Sequence, residues 1–174
     1  IEGAIGVGKT SLANLMSKEL GARLVLEEFE ENPFLPDFYK DPERYAFQTQ
    51  LFFLLQRYRQ QQELRQVDMF QNLLVTDYMF VKDRLFASLN LNEKEMSLYD
   101  TVANMMEKNV IHPDLVIFLQ ADTETLMQNI ARRGREFEKN MSEDYIDALN
   151  QVYNEYFFRY QDTPLVIINT NNID

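Results

Sequence analysis

Four short apolar runs, at residues 23–26, 73–76, 115–121 and 165–168, are separated by segments whose apolar residues recur at helical spacing. This alternation limits the fold of the chain more than any other feature of the sequence. Strands alternating with helices build a parallel sheet wrapped by helices, with ligands taken up at the C-terminal edge of the strands. Leu12, Leu15, Met16 and Leu20 mark the first helix, and Gly21 stands where a C-terminal cap belongs. Asp41-Pro42-Glu43 starts a long one, with Asp as cap and Pro in the first turn. That helix is expected to reach about Gln66 with Phe47, Leu51, Leu54, Leu55 and Tyr58 inward. Further helices are expected at 79–89, at 93–109 (Asn92 capping, Glu95 in capping-box position), at Thr123–Arg133 and at Glu143–Phe158. The run 73–76 reads as a buried strand ending in Asp77, and 115–121 as one buried on both faces. The expectation is an α/β fold, a parallel five-stranded sheet wrapped by helices, in a single domain over residues 1–174. Ile1 is not a natural start and Asp174 ends abruptly after a strand-like run, so both ends are expected to be truncated.

Gly3-Ala4-Ile5-Gly6-Val7-Gly8-Lys9-Thr10 matches G-x-x-x-x-G-K-[ST]. At typical residue frequencies a chance match over this length is below about 1%. The glycines let the backbone turn its N–H groups toward phosphates, so Gly3, Gly6, Val7 and Gly8 are candidate nucleotide-binding residues. Lys9 reaches the β- and γ-phosphates, Thr10 ligates Mg²⁺, and the helix that starts there adds its positive end. Asp77, closing a strand, is placed to reach the Mg²⁺ shell or to cap the segment that follows; the two roles are compatible. ATP and Mg²⁺ are the implied nucleotide and ion.

Seventeen basic against twenty-eight acidic residues give a net charge of −11, which disfavours a nucleic-acid polymer and an anionic membrane as partners. No apolar run approaches the ~18 residues of a membrane span. The absence of cysteine excludes disulfides and thiol catalysis and fits a reducing, cytoplasmic setting. The lone histidine, His112, reads as a loop residue before a strand.

Glu27, Glu28, Glu30 and Glu31 cluster after the second strand, where an acceptor should sit. Three of them read as a solvated face. Glu27 is placed to take a proton from a hydroxyl as a phosphoryl group arrives. Four carboxylates make a poor cradle for a substrate that already carries a phosphate.

The phosphate loop followed by Glu27-Glu28-Phe29-Glu30-Glu31-Asn32-Pro33-Phe34 resembles the deoxynucleoside kinase family, especially its bacterial purine-directed branch. The stretch from Tyr39 to Tyr45, on through Gln50 and Arg57, resembles the family's substrate helix. The similarity continues through Asp77 to Phe86 and into Arg133-Gly134-Arg135. The resemblance implies a phosphate-loop kinase with an Arg-rich lid near residues 132–141 and transfer of the γ-phosphoryl of ATP to the 5′-hydroxyl of a deoxynucleoside, with a purine as the base. It makes Glu27 the catalytic base, with Lys9, Arg133 and Arg135 stabilising the transferred charge. Gln50, Arg57 and Asp83 then read the base, Phe47 and Phe80 flank it unless they are simply core, and Tyr39 and Glu138 bind the sugar 3′-hydroxyl. Gln50 and Arg57 lie seven residues apart, two helical turns, so both face one side, a phase that Gln48 would break. A homodimer paired through helices is implied as well.

Two positions depart from the family. Tyr78 and Asn129 stand where it usually carries Arg, and Lys82 and Arg132 are the nearby cations that could compensate. Other readings are a nucleoside monophosphate kinase of thymidylate-kinase type, disfavoured by the acidic stretch, and a GTP-binding switch. For the switch, Asn171-Asn172-Ile173-Asp174 echoes N-K-x-D without its lysine. A nucleotide-binding protein without turnover is the last.

Overall fold

The computed structural model describes residues 1–65 and 73–173. The elements run α1 (Lys9–Leu20), β1 (Arg23–Val25), α2 (Leu35–Phe38), α3 (Pro42–Arg65), β2 (Leu74–Thr76), α4 (Lys82–Asn90), α5 (Glu93–Glu107), β3 (Val116–Gln120), α6 (Thr123–Arg133), α7 (Glu143–Phe158) and β4 (Leu165–Asn169). Short 3-10 turns occupy Phe29–Glu31 and Glu136–Glu138. They fall into two compact units, one from the described parts of Ile1–Glu27, Met69–Met79 and Pro113–Asp174, the other from those of Glu28–Asp68 and Phe80–His112.

The first unit carries the strands. β1 pairs with β2 and β3 with β4, both in parallel. The described strands thus number four in two pairs, where a five-stranded sheet was expected. Between the pairs runs the backbone of Ile1 and Glu2. The Ile1 nitrogen donates to the Thr76 carbonyl at 2.7 Å, the Glu2 amide to Ile117 at 2.8 Å, and the Leu119 amide to Glu2 at 2.8 Å. Two residues are too few to be a strand, yet they start the phosphate loop from the middle of the paired strands. Phe118 stacks on Phe157 of α7 with centroids 4.4 Å apart, and Leu126, Ile146, Leu149 and Tyr153 complete a core between β3, α6 and α7. Leu73 and Leu74, expected to be buried, are exposed, as are Val166 and Ile167 of β4.

The second unit is helical. Asn92 accepts from the Lys94 and Glu95 amides while Glu95 accepts from the Asn92 amide, the capping box that starts α5. Leu54, Ala87, Tyr99 and Ala103 form the core joining α3, α4 and α5. The inward stripe of α3 differs from its apolar pattern. Ala46, Thr49, Gln50, Leu54, Arg57, Gln61 and Leu64 are buried, whereas Leu55 is exposed and Phe47 and Tyr58 are half-buried. Polar side chains thus take inward positions on α3, two of them with interior partners: Arg57 on Asp83 and Gln61 on the Ile111 amide. α4 begins at Lys82, later than the expected residue 79, and Gln66, the expected end of α3, lies outside the described residues, as does Asp174.

Candidate active site

The strand-like backbone at Ile1–Glu2 ends at Gly3, and the loop to Gly8 turns through positive φ at Gly3, Gly6 and Gly8. Gly8 precedes α1 with no side chain capping the helix, so the first-turn amides present their donors without a side-chain acceptor. Lys9 folds back over the loop, donating to the Gly3 and Ala4 carbonyls at 2.8 and 2.9 Å. The Thr10 hydroxyl donates to Asp77 Oδ2 at 2.6 Å, and Asp77 Oδ1 accepts from the Glu27 amide at 2.8 Å. One buried carboxylate at the end of β2 therefore links the helix after the phosphate loop to the segment after β1. Asp77 does not cap α4, which starts five residues later behind Val81. Glu27 is half-buried and Glu28 exposed.

Glu2 escaped the sequence reading. Its side chain is fully buried and accepts from the Met79 and Gly3 amides, tying the start of the phosphate loop to the segment that follows Asp77. An acid one residue ahead of the loop glycine, in what should be an apolar strand, was the available signal.

Downstream, α6 begins at Asp122, whose carboxylate accepts from the Thr125 amide at 2.8 Å; hydrogen bonding from the Thr125 side chain first, and from this amide second, lowers its pKa. The helix ends at Gly134, in left-handed backbone at φ 66°. Arg133 and Arg135 both reach Glu138: Arg133 forms two bonds, of 2.5 and 3.1 Å, and Arg135 one of 3.4 Å. Glu138 is buried. Tyr39 ends α2, half-buried, its ring edge-on to Phe38 at 5.2 Å. Asn129 donates to the Gly6 carbonyl at 2.9 Å and accepts from Arg132 at 3.0 Å. Tyr78 is buried, and Lys82, also buried, sits over the Phe86 ring at 5.8 Å.

In the helical unit Arg57 Nε donates to Asp83 Oδ2 at 2.6 Å, with 5% and 2% of the two side chains exposed. Gln50, on the same buried stripe as Arg57, has an Oε1 with no hydrogen-bond partner among the described residues. Gln48 is only half-buried. Phe80 packs against the Leu54–Tyr99 core, and Phe47 is half-buried. The Tyr99 phenol is buried without a hydrogen-bond partner among the described residues, and burial, followed by the neighbouring Asp83 charge, pushes its pKa up.

A glycine loop leading into a helix, a lysine across it, and a threonine bonded to a strand-end carboxylate define a phosphate-loop phosphotransferase of α/β class. The model of the deoxynucleoside kinase family matches residues 1–174, and the chain belongs to that family: it is a kinase that transfers phosphate from ATP to a deoxynucleoside. The chain is 32% identical over 154 residues to the deoxyguanosine kinase of Bacillus subtilis (strain 168), covering 88% of this chain and 74% of that protein. It is 30% identical over 182 residues to the deoxyadenosine/deoxycytidine kinase of the same organism, covering 100% and 82%. The deoxyadenosine kinase from M. mycoides, solved with dCMP and a flexible dCDP bound, superposes with a TM-score of 0.86 at 27% identity, over 96% of this chain and 87% of that one. The monophosphate-kinase and GTP-switch readings end there. Among the described residues no helix is long and apolar enough to cross a membrane.

Proposed function

We propose that the acceptor is a purine deoxynucleoside, phosphorylated on its 5′-hydroxyl with Mg²⁺-bound ATP. The observation that carries this reading is the buried Arg57–Asp83 pair on the Gln50 stripe of α3. A guanidinium fixed by a carboxylate offers directed donors to ring nitrogens and carbonyls, and the Gln50 amide both donates and accepts. An apolar lining would favour a base with fewer polar edge atoms. Of the relatives' names, deoxyguanosine kinase supports a purine, and deoxyadenosine/deoxycytidine kinase names a purine beside a pyrimidine.

The residues suit the nucleotide and the ion. An added Cβ at Gly8 would meet nothing within 4 Å, so the loop has open space over its amides. Thr10 Oγ1 and Asp77 Oδ2 are adjacent hard oxygens of the kind Mg²⁺ takes alongside phosphate oxygens. When bound, ATP with Mg²⁺ supplies the γ-phosphoryl group and a concentrated positive charge. Gly3, Gly6, Val7, Gly8 and Lys9 bind its phosphates, and Thr10 and Asp77 hold the ion. Arg133 and Arg135 neutralise charge on the transferred group once they leave Glu138. Glu27, its backbone anchored on Asp77, accepts the hydroxyl proton. Gln50, Arg57 and Asp83 orient the base, with Phe47 and Phe80 against its faces and Tyr39 and Glu138 toward the 3′-hydroxyl. The exposed Leu55 of α3 and Leu98 and Met105 of α5 support pairing of two copies through helices, and the family resemblance supports a cytoplasmic setting.

The test is transfer from radiolabelled ATP to deoxyadenosine, deoxyguanosine, deoxycytidine, thymidine and their monophosphates. The purine deoxynucleosides should be preferred; preference for thymidine or for any monophosphate overturns the reading.

A further inference from the structure

We propose that Arg132 is a binding group for the donor triphosphate, and that Asn129 is the residue that positions it against the phosphate loop. This rests on the phosphate-loop kinase reading and extends it to two side chains outside the loop.

The Asn129 amide lies between two groups of opposite hydrogen-bonding character. A carbonyl only accepts, so Gly6 must face Nδ2; a guanidinium only donates, so Arg132 must face Oδ1. The two contacts fix the amide's orientation and leave it one arrangement. They also fix where the Arg132 side chain starts its approach: one hydrogen-bonded residue away from the backbone of the phosphate loop. The spacing is held from beneath. A Cβ on Gly6 would fall 2.8 Å from the Leu126 carbonyl and 3.0 Å from Ile130, so loop and helix are in backbone contact along the turn that carries Asn129.

Charge separates Arg132 from its neighbours. Arg133 and Arg135 share the buried Glu138 as a counter-charge. Arg132 is exposed, and among the described residues its one hydrogen bond is to neutral Asn129. In a chain of net charge −11, an arginine held beside a phosphate loop by an uncharged residue keeps its full positive charge for an anion. Arg132 lies one helical turn after Asn129, on the same face of α6. The competing explanation is an arginine that only complements the C-terminal end of the α6 dipole. That role affects helix stability and not nucleotide affinity.

The experiment uses the whole chain as Arg132→Gln, Arg132→Lys, Asn129→Ala and the Asn129→Ala/Arg132→Gln double variant. Binding of ADP and of a non-hydrolysable ATP analogue is measured calorimetrically with Mg²⁺ and no acceptor, and kinetics are measured with deoxyadenosine. Arg132→Gln should weaken the triphosphate analogue about tenfold and lower kcat/KM for ATP by a similar factor, as loss of one charge-assisted contact does. The KM for deoxyadenosine should move less than about twofold, and Arg132→Lys should recover part of the affinity. Asn129→Ala should weaken the analogue in the wild-type background and add little once Arg132 is gone. Analogue affinity within about twofold of wild type in Arg132→Gln, with only the melting temperature lowered, overturns the binding role. Losses from the two single variants that simply multiply in the double variant overturn the positioning role. Lys9→Ala serves as the reference: if it too binds and transfers like wild type, the phosphate-loop reading fails and not this inference alone.

Discussion

Thr10 and Asp77, sixty-seven residues apart in the chain, are joined by a 2.6 Å hydrogen bond from hydroxyl to carboxylate. The other oxygen of Asp77 takes the Glu27 amide, so one side chain fixes the expected ion ligand and the expected base together. Asp77→Asn retains an acceptor for the Glu27 amide and removes the anionic oxygen. The expected outcome is a kcat lowered about tenfold or more, partly restored by raising Mg²⁺. Turnover titrated against Mg²⁺ measures it; an unchanged Mg²⁺ requirement would remove Asp77 from the ion site.

Glu27→Gln preserves shape and deletes the proton acceptor. A fall in kcat of roughly 10²–10⁴ with little change in the KM of the deoxynucleoside is the expected result. Steady-state kinetics decide it, because a loss confined to KM would make Glu27 a binding residue.

Arg57 and Asp83 have to be changed together. Removing one partner of a buried pair leaves a charge in the interior, at a cost of about 3–5 kcal/mol, and would confuse folding with specificity. The double variant Arg57→Met/Asp83→Ala should lose purine use and gain activity on thymidine, while ATP affinity stays close to wild type. The same substrate profile in variant and wild type would show that the base is read elsewhere.

Asp122 makes a pH-dependent contribution to stability. Its hydrogen bonds from Thr125 lower its pKa in the folded protein. A lowered pKa stabilises the fold above the unfolded value, and that contribution disappears as pH falls through the folded value. Asp122→Ala should therefore lower the melting temperature at pH 7, and the gap from wild type should close in acid, below the ordinary aspartate range. A gap that persists unchanged at low pH would assign the effect to packing.

Local chemistry made much of this architecture legible. Gly21 and the Asn92–Glu95 box cap the helices that their residue types and positions announced. The phosphate loop was legible because its glycines and lysine carry a spacing that few other structures need. The interior of α3 was not. A pattern that counts only apolar residues turns Leu55 inward, whereas the protein buries Thr49, Gln50, Arg57 and Gln61; for two of these the partner lies inside, since Gln61 accepts from the Ile111 amide and Arg57 holds Asp83. Glu2 showed itself only as an acid out of place in an apolar strand, and its partners, the Gly3 and Met79 backbone amides, leave no mark in the sequence. The four-residue α2 and the 3-10 turns were too short to show periodicity.

Gly6 and Gly8 both turn through positive φ, yet they answer to different constraints over the history of a sequence. Gly8 faces open space, so only its own torsion, φ 101°, opposes a side chain. Gly6 is also held by the Leu126 carbonyl, a backbone atom that no mutation can trim. A descendant of this chain that loses Gly6 must reposition α6 in the same lineage, with Asn129 and the arginines behind it, whereas one that loses Gly8 meets only the strain of its own torsion in the phosphate loop. Positions 6 and 126–130 are thus bound to diverge as one block, and a library that randomises them separately will consist mainly of broken loops.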